Sequence, residues 1–405
     1  MAQIPFLDIA RFAGLNITAP VAVVGPGEWL HELSPSFFSM RFFGILNQAC
    51  ALVLATLAGT PVVTQAASVS LPSYPLAVKH PYLSTWLPGN QASNVAASQP
   101  EFWAGQSLNW PILARVNGQT YSLFGVPSAV DGVIAATTKS VSYTSSHTYF
   151  ELQAGSAKIT LDFFSPVLPG AQDYARQSLP YSYLTVSVAS TSGRTLSVQV
   201  LSGIDQTWTA QGGASNLNFT SSGSAEYFQF HNPNEIKFTE VDDMATYGTV
   251  VFAASAGAGL SSACGSASTI YSYFAKTGAL STSRSCAGTN LAAFSSNLGK
   301  VSGTAKNFTF AVGFDRTDAI DYLGQTQTGY YRSKWPTIDD AVQYFLKDYG
   351  SVLATSLAFD DEIRSKSEGV SSTFGSQYAD IVEASVRQTF GALELTVGDY
   401  LPQRS

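Results

Sequence analysis

The sequence predicts a mainly β chain, a large antiparallel β-sandwich that is followed by helices. Two observations predict it. Between about residues 75 and 314, short runs rich in β-branched and aromatic residues alternate with turn residues, as in residues 147–152, 157–164, 183–188, 196–201, 248–253 and 308–313. After that the apolar period lengthens to that of helices.

Short sequence signals predict the turns and helices within this pattern. Asn117 and Gly118 come directly before the strand pattern of residues 119–124, and this dipeptide predicts a tight hairpin turn. Residues 339–346, 353–366 and 379–390 then predict three helices, the first capped by Thr337 or by nearby acids. No internal repeat is evident, and the tail from residue 398 loses the helical pattern.

The composition narrows the function classes. The chain has 405 residues and a net charge of −7, and only 12% of its residues are charged. Because no cluster of lysine and arginine is present, nucleic acids and anionic membranes are excluded as expected partners. The low charge with many small polar residues is typical of extracellular β proteins.

The first 70 residues indicate secretion. Met40 and Arg41 precede an apolar run and small residues, the order of a secretory signal peptide. We expect residues 1–39 to be a gene-model extension and residues 40–67 to be the signal peptide. A membrane anchor is the alternative, but the apolar run is short for a span, and no stable membrane span is expected.

Two other features agree with secretion. Cys264 and Cys286 lie in small, polar segments and predict one disulfide, with two unpaired thiols as the alternative. Asn218 and Asn307 begin N-x-T patterns and are predicted glycosylation sites.

An ordered series of motifs resembles the fungal glutaminase A family. The series covers most of residues 75–397 and comprises PYLSTWLPG at 81–89, FWAG at 102–105, ARVNGQTY at 114–121, YTSSHT at 143–148, LDFFSP at 161–166, RQSLPYSYL at 176–184, SGID at 202–205 with Trp208, YADI at 378–381 and SVRQ at 385–388.

The resemblance implies a domain order and an activity. It implies a supersandwich-type β domain over residues 68–330 and the first helices of an α/α toroid over residues 331–405. It also implies extracellular hydrolysis of L-glutamine to L-glutamate and ammonia, with no cofactor. In the family the helical part continues further, so we expect this chain to be truncated and inactive alone.

Site chemistry is sparse in the sequence. The weak catalytic candidates are Asp162 and Asp205, each at a predicted strand end, and His147. The competing interpretation makes the two carboxylates hydrogen-bond acceptors for turn backbone or partners of Arg176. His147 would then be a sheet or interface residue. No tight cluster of ligands indicates a metal.

Two other functions stay open at this point. A secreted glycoside hydrolase would use the same plan of sandwich and toroid. A carbohydrate-binding or structural β module would need no catalytic site, and its sugar-stacking surface would be built from Trp86, Trp103, Trp110 and Trp208, although such residues are more often core aromatics.

Overall fold

Strands make up most of the regular structure before residue 330. A computed structural model describes residues 70–126, 130–170, 173–209, 215–281, 284 and 291–398. In chain order the strands are β1 (Ser73–His80), β2 (Leu83–Pro88), β3 (Glu101–Phe102), β4 (Ile112–Val116), β5 (Gln119–Phe124), β6 (Val133–Ala135), β7 (Thr137–Tyr143), β8 (His147–Ala154), β9 (Ala157–Phe164), β10 (Tyr181–Ser190), β11 (Leu196–Ile204), β12 (Asn216–Ser222), β13 (Ala225–His231), β14 (Glu240–Val241), β15 (Met244–Ala245), β16 (Thr249–Ser255), β17 (Leu260–Gly265), β18 (Leu291–Val301), β19 (Lys306–Asp315), β20 (Ile320–Tyr322), β21 (Gln325–Gly329) and β22 (Thr396–Val397).

Within the described residues the helices are fewer than the strands, and the two longest follow residue 330. They are α1 (Tyr174–Gln177), α2 (Ala267–Thr277), α3 (Ile338–Glu368) and α4 (Gly375–Gly391). Single 3₁₀ turns occur at Gly89–Gln91, Val95–Ala97, Gln206–Trp208 and Tyr330–Ser333.

Two large sheets form the predicted sandwich. One has the order β12-β13-β16-β19-β10-β9-β8-β7 and the other the order β17-β18-β11-β4-β5-β6. Their inner faces share one apolar core, to which the first sheet contributes Phe163 and Leu184 and the second contributes Ile112 and Phe294. The predicted fold class, mainly β with an antiparallel sandwich ahead of helices, is confirmed. The parallel pair β5–β6 is an exception within the antiparallel pattern.

Helices cover the outer faces of both sheets. Because successive strand residues point to opposite faces, Phe164 and Tyr183 lie on the outer face of the larger sheet, where they pack with Val342 and Phe345 of α3. On the outer face of the smaller sheet, α2 packs through Phe274. Residues 70–398, where described, are therefore layered as helix, sheet, sheet and helix.

The predicted hairpin forms as expected. Val116 pairs with Gln119, and the two turn residues Asn117 and Gly118 both have positive φ, 49° and 92°. This conformation belongs to the turn type that matches the twist of the flanking strands.

The helix count differs from the prediction. The stretches 339–346 and 353–366 are one continuous helix, α3, which runs through Gly350. Residues of α3 on both sides of Gly350, Phe345 and Val352, pack in the cluster on the larger sheet, and this packing offsets the helix cost of the glycine. The predicted cap is confirmed: the Asp340 amide donates to Thr337 Oγ1 at 3.1 Å, and the Thr337 amide donates to Asp340 Oδ2 at 3.2 Å. The third predicted helix is α4.

The signal peptide expected at residues 40–67, the extension expected at residues 1–39, and Cys286 lie outside the described residues. Cys264 is buried near the end of β17. Because its predicted partner is not described, the bridge stays a prediction. Asn218 and Asn307 are both exposed, as an attached glycan requires. In the part of the chain that the structure describes, no helix is both long enough and apolar enough to cross a bilayer.

Candidate functional site

The structure brings two of the three predicted catalytic residues into contact. His147 begins β8, and Asp162 lies on the neighbouring strand β9. His147 Nδ1 and Asp162 Oδ1 are 2.8 Å apart, and the imidazole is completely buried. The other ring nitrogen, Nε2, has no hydrogen-bond partner among the described residues. A carboxylate that holds one imidazole nitrogen fixes the orientation of the ring and the role of the other nitrogen.

The His147 ring stacks against two other aromatic rings. It stacks on Phe164 at 4.2 Å with 4° between the planes, and on Tyr149 at 5.2 Å with 5°. Phe164 continues the stack to Tyr183, which in turn stacks on Phe345 of α3 at 3.9 Å. The imidazole is therefore one ring in a row that runs from the sheet into the first long helix.

The tight turn before β8 connects this pair to α3. Thr144 Oγ1 accepts hydrogen bonds from the amides of Ser146 and His147, which shapes the turn. The same turn donates two hydroxyl hydrogen bonds to Asp360 Oδ2, from Thr144 at 2.6 Å and from Ser146 at 2.7 Å. Burial raises the pKa of Asp360, while the charge of His147 and these hydroxyls oppose the rise.

Arg387 of α4 is the cation of this region. It is 1% exposed, and its hydrogen bond to the Ser165 carbonyl is long, at 3.5 Å. Its Nε and Nη2 have no partner among the described residues. Burial lowers the pKa of Arg387 to about 10, although the nearby charges of Asp360, Asp162 and Tyr149 favour the charged form.

A second ion-pair group extends the site along the same helices. Arg364 of α3 donates to Asp380 at 2.7 Å and to Glu383 at 3.1 Å, both on α4. Burial raises the pKa of Glu383 to about 7, and Arg364 opposes this rise. We call the whole layer of polar groups between the larger sheet and α3 and α4 the seam; it comprises Thr144, Ser146, His147, Asp162, Asp360, Arg364, Asp380, Glu383 and Arg387.

The seam contains the groups that proton-transfer chemistry uses, but they are buried away from solvent. A histidine oriented by a carboxylate, a carboxyl group with a raised pKa and an arginine with unused donors lie within one layer. The seam also fixes the helices to the sandwich. Among the described residues no group of histidine, cysteine and carboxylate side chains is arranged to hold a metal ion.

Asp205 lies apart from the seam and has a structural role. Its Oδ1 accepts from the Thr207 amide at 3.0 Å and from the Thr207 hydroxyl at 2.6 Å, and its Oδ2 accepts from Asn109 at 2.8 Å. It thus caps the 3₁₀ turn Gln206–Trp208, as the competing interpretation expects of a turn carboxylate. The suggested pairing of Asp162 with Arg176 is wrong, because Arg176 binds Asp348 of α3 at 2.6 Å.

The four tryptophans do not form one stacking surface. Trp110 and Trp208 are buried and meet edge to face at 5.3 Å, so they belong to the core. Trp86 is half-buried and donates to Ser84, whereas Trp103 is 42% exposed. The described residues therefore give the sugar-binding alternative no platform built from these four rings.

Sequence reasoning missed the helical half of the seam. Asp380, Glu383 and Arg387 follow the helical spacing i, i+3 and i+7 and occupy the buried face of α4, while Tyr378 and Ile381 are exposed. Their helical spacing was the available signal, because it places the three charges on one face of α4. A charged face of a helix usually points to water, however, so the spacing alone did not indicate a buried site.

Comparisons with known proteins give one family model and two fungal relatives with glutaminase names. A family model described as a domain of unknown function, DUF5127, matches residues 146–366. Glutaminase A of Aspergillus oryzae is 32% identical over 346 residues, which cover 80% of this chain and 49% of that protein. A protein of Arthroderma benhamiae named probable glutaminase is 32% identical over 228 residues, 51% of this chain and 25% of that protein.

The chain thus spans about half the length of the Aspergillus protein that it matches. Among solved structures, one named "Putative kojibiose phosphorylase from human microbiome" aligns with a TM-score of 0.37 and 10% identity, over 79% of this chain and 39% of that one.

Proposed function

The chain belongs to the family of the DUF5127 domain and is a glutaminase-family protein, and from this premise we propose that its activity is the hydrolysis of L-glutamine to L-glutamate and ammonia. The resemblance to fungal glutaminase A is confirmed. The observation that carries the proposal is the 32% identity to Glutaminase A across 80% of the chain.

We propose that the described residues supply the scaffold of this activity rather than an open catalytic cleft. The seam is closed: His147 is completely buried, and its ring stacks against Tyr149 and Phe164. A substrate amide needs hydrogen-bond contact with the base that acts on it or on its attacking water. We therefore keep the expectation that residues 67–405 fold but do not turn over glutamine by themselves.

The first experiment is an activity assay on that chain. Residues 67–405 are expressed, checked for cooperative melting and assayed for ammonia from L-glutamine, with L-asparagine and a gluco-disaccharide as other substrates. We expect a folded protein without turnover. Robust ammonia release would refute the scaffold role, and His147, Asp162 and Asp205 would be the first residues to replace. Sugar turnover would favour the glycoside hydrolase alternative.

The second experiment tests the activity itself through a chimera. Residues 67–397 of this chain replace the matching half of Glutaminase A, and ammonia release is measured. If the scaffold role is right, the folded chimera hydrolyses glutamine, and the Asp360→Ala change in the seam lowers its activity at least tenfold. A folded chimera that retains no activity would count against the proposal.

We also propose secretion into the medium or to the cell wall. The signal-like residues 40–67 and the two exposed acceptor asparagines, Asn218 and Asn307, support it. Terminal sequencing of the protein from culture supernatant should find a mature N-terminus between about residues 59 and 70. Finding residue 2 or 3 at the N-terminus of secreted material would contradict cleavage after a Met40 signal.

A further inference from the structure

A cavity of about 140 Å³ lies beside the end of β1, separate from the His147–Asp162 pair. The charged and titratable residues at its lining include Lys79, His80, Arg316 and Glu394. Its walls are mainly apolar and are built from Leu168, Pro169, Phe314, Tyr331, Phe390 and Leu393. Mostly apolar walls with a few convergent polar groups are typical of sites for small molecules.

Lys79 is the unusual residue of this cavity. It is 5% exposed, and its ammonium donates to the Pro166 carbonyl at 2.6 Å. No carboxylate forms an ion pair with Lys79 among the described residues, and the nearby charge from α4 is another cation, Arg387. A buried ammonium without a counter-ion either loses its proton or acquires an anion. Burial, with a contribution from Arg387, accordingly lowers the pKa of Lys79 to about 7.

The other charged groups of the cavity are already neutralised. Arg316 forms an ion pair with Glu394 and donates to the Tyr247 hydroxyl at 2.7 Å. Burial lowers the pKa of His80 to about 3, so its imidazole is neutral, with the Phe314 backbone close to the ring.

Two tyrosines also line this cavity, and burial raises the pKa of Tyr331, so its phenol is neutral near neutral pH. Tyr331 donates its hydroxyl to Asp315 at 2.7 Å, and Tyr174 stands at the exposed rim of the cavity. The charge that lacks a partner in this cavity is therefore that of Lys79.

We propose that this cavity binds a small carboxylate with an apolar or aromatic body, whose carboxylate pairs with the Lys79 ammonium. The apolar walls would cover the body of the ligand, and its negative charge would replace the missing counter-ion. The volume limits the ligand to a few carbon atoms or a single ring. This binding site is independent of glutamine hydrolysis and would exist in the absence of any turnover.

The proposal has a linked-proton consequence. Above pH 7 the free protein holds Lys79 largely as the neutral amine, whereas the complex needs the ammonium. Binding therefore takes up one proton, and the dissociation constant should rise about tenfold per pH unit between pH 8 and pH 9. Below pH 6.5 the ammonium is already present, so the affinity should be nearly constant.

The test is calorimetric titration of the full chain with benzoate as the probe, and with benzamide as the neutral ligand of the same shape. We expect benzoate to bind at least tenfold more tightly than benzamide at pH 6.5, and more tightly than the more polar L-glutamate. Lys79→Met should abolish the preference for benzoate. Lys300→Met is the matched control, because Lys300 is exposed on β18, and it should leave binding unchanged.

Three results would overturn the proposal: no benzoate binding at pH 6.5, equal affinity for benzamide, or an affinity that does not change between pH 8 and pH 9. The pH series uses the unaltered protein, so it decides the question even if Lys79→Met fails to fold. L-glutamate binding more tightly than benzoate would refute the apolar class of ligand.

Discussion

Replacing Asp360 should separate its role as an acceptor from its charge. Asp360 Oδ2 accepts the buried hydroxyls of Thr144 and Ser146 at 2.6 and 2.7 Å. Asp360→Ala removes this acceptor and leaves two buried donors unsatisfied. At about 1–3 kcal/mol for each buried donor, the free energy of unfolding should fall by about 3 kcal/mol. Asp360→Asn keeps an oxygen at the same place and should therefore cost far less.

The charge of Asp360 gives this prediction its pH dependence. Because burial raises the pKa of Asp360 above its value in the unfolded chain, protonation favours the fold. That contribution is fully present below the unfolded pKa and is lost as the pH rises through the folded value. Asp360→Asn, which cannot ionise, should therefore be at least as stable as the unaltered protein at pH 8, and its relative advantage should shrink toward pH 4.

The measurement is urea unfolding followed by circular dichroism at pH 4, 6 and 8. Asp361→Ala is the matched control, because Asp361 is the next residue on α3 and is exposed, so its change should be within about 0.5 kcal/mol. The reasoning fails if Asp360→Asn is as destabilising as Asp360→Ala, or if Asp360→Ala matches the control.

Three further changes test other contacts. Gly391→Ala should destabilise the chain by about 1–3 kcal/mol in urea unfolding, since the new Cβ would lie 2.2 Å from a valine methyl of β1. Arg364→Met should lower the free energy of unfolding by about 3–5 kcal/mol at pH 8, because it leaves the Glu383 carboxylate buried without its cation. The loss should be smaller at pH 5, because the pKa of Glu383 is about 7 and its carboxyl group is then protonated. The predicted bridge between Cys264 and Cys286 should add about 3 kcal/mol of stability, so neither thiol should label in the unreduced, denatured protein.

Each of these changes has its own contradicting result. Gly350 lies in the open on α3, and Gly350→Ala should gain up to about 1 kcal/mol because alanine favours the helix. A loss equal to that of Gly391→Ala would mean that the close approach of the new Cβ to β1 is not the cause of the Gly391→Ala effect. Equal costs of Arg364→Met at pH 5 and pH 8 would show that Glu383 does not titrate there. Stoichiometric labelling of both cysteines would rule out the bridge.

The sandwich was predictable because its signals are local. Along most of β9, buried residues alternate with more exposed ones, and the Asn117–Gly118 turn fixes the register of its hairpin from two residues. The continuity of α3 was not predictable from the sequence, since a glycine inside a helical pattern marks either a break or a tolerated cost. The packing of α3 against the larger sheet decides in favour of one helix.

The strand half of the seam was predictable from local signals, whereas the helical half was not. His147 and Asp162 stand on adjacent strands of one hairpin, so their contact follows from local pairing. Asp360 and Arg387 join the seam from positions more than 190 residues further along the chain, and no local pattern encodes that arrangement. Asp205 shows the opposite case, where a carboxylate at a strand end serves only the turn that follows it.

The buried face of α4 carries charged residues instead of large apolar ones, and this constrains the order of folding. Its buried side carries Asp380 and Arg387, so the helix gains little from hydrophobic collapse and needs a finished polar surface to dock against. The Tyr143 hydroxyl that reaches α4 is separated from its Asp380 acceptor by 237 residues, and closing so long a loop is slow. The sandwich should therefore form first and α4 should dock last, which makes this helix the first element to detach when the protein is stressed.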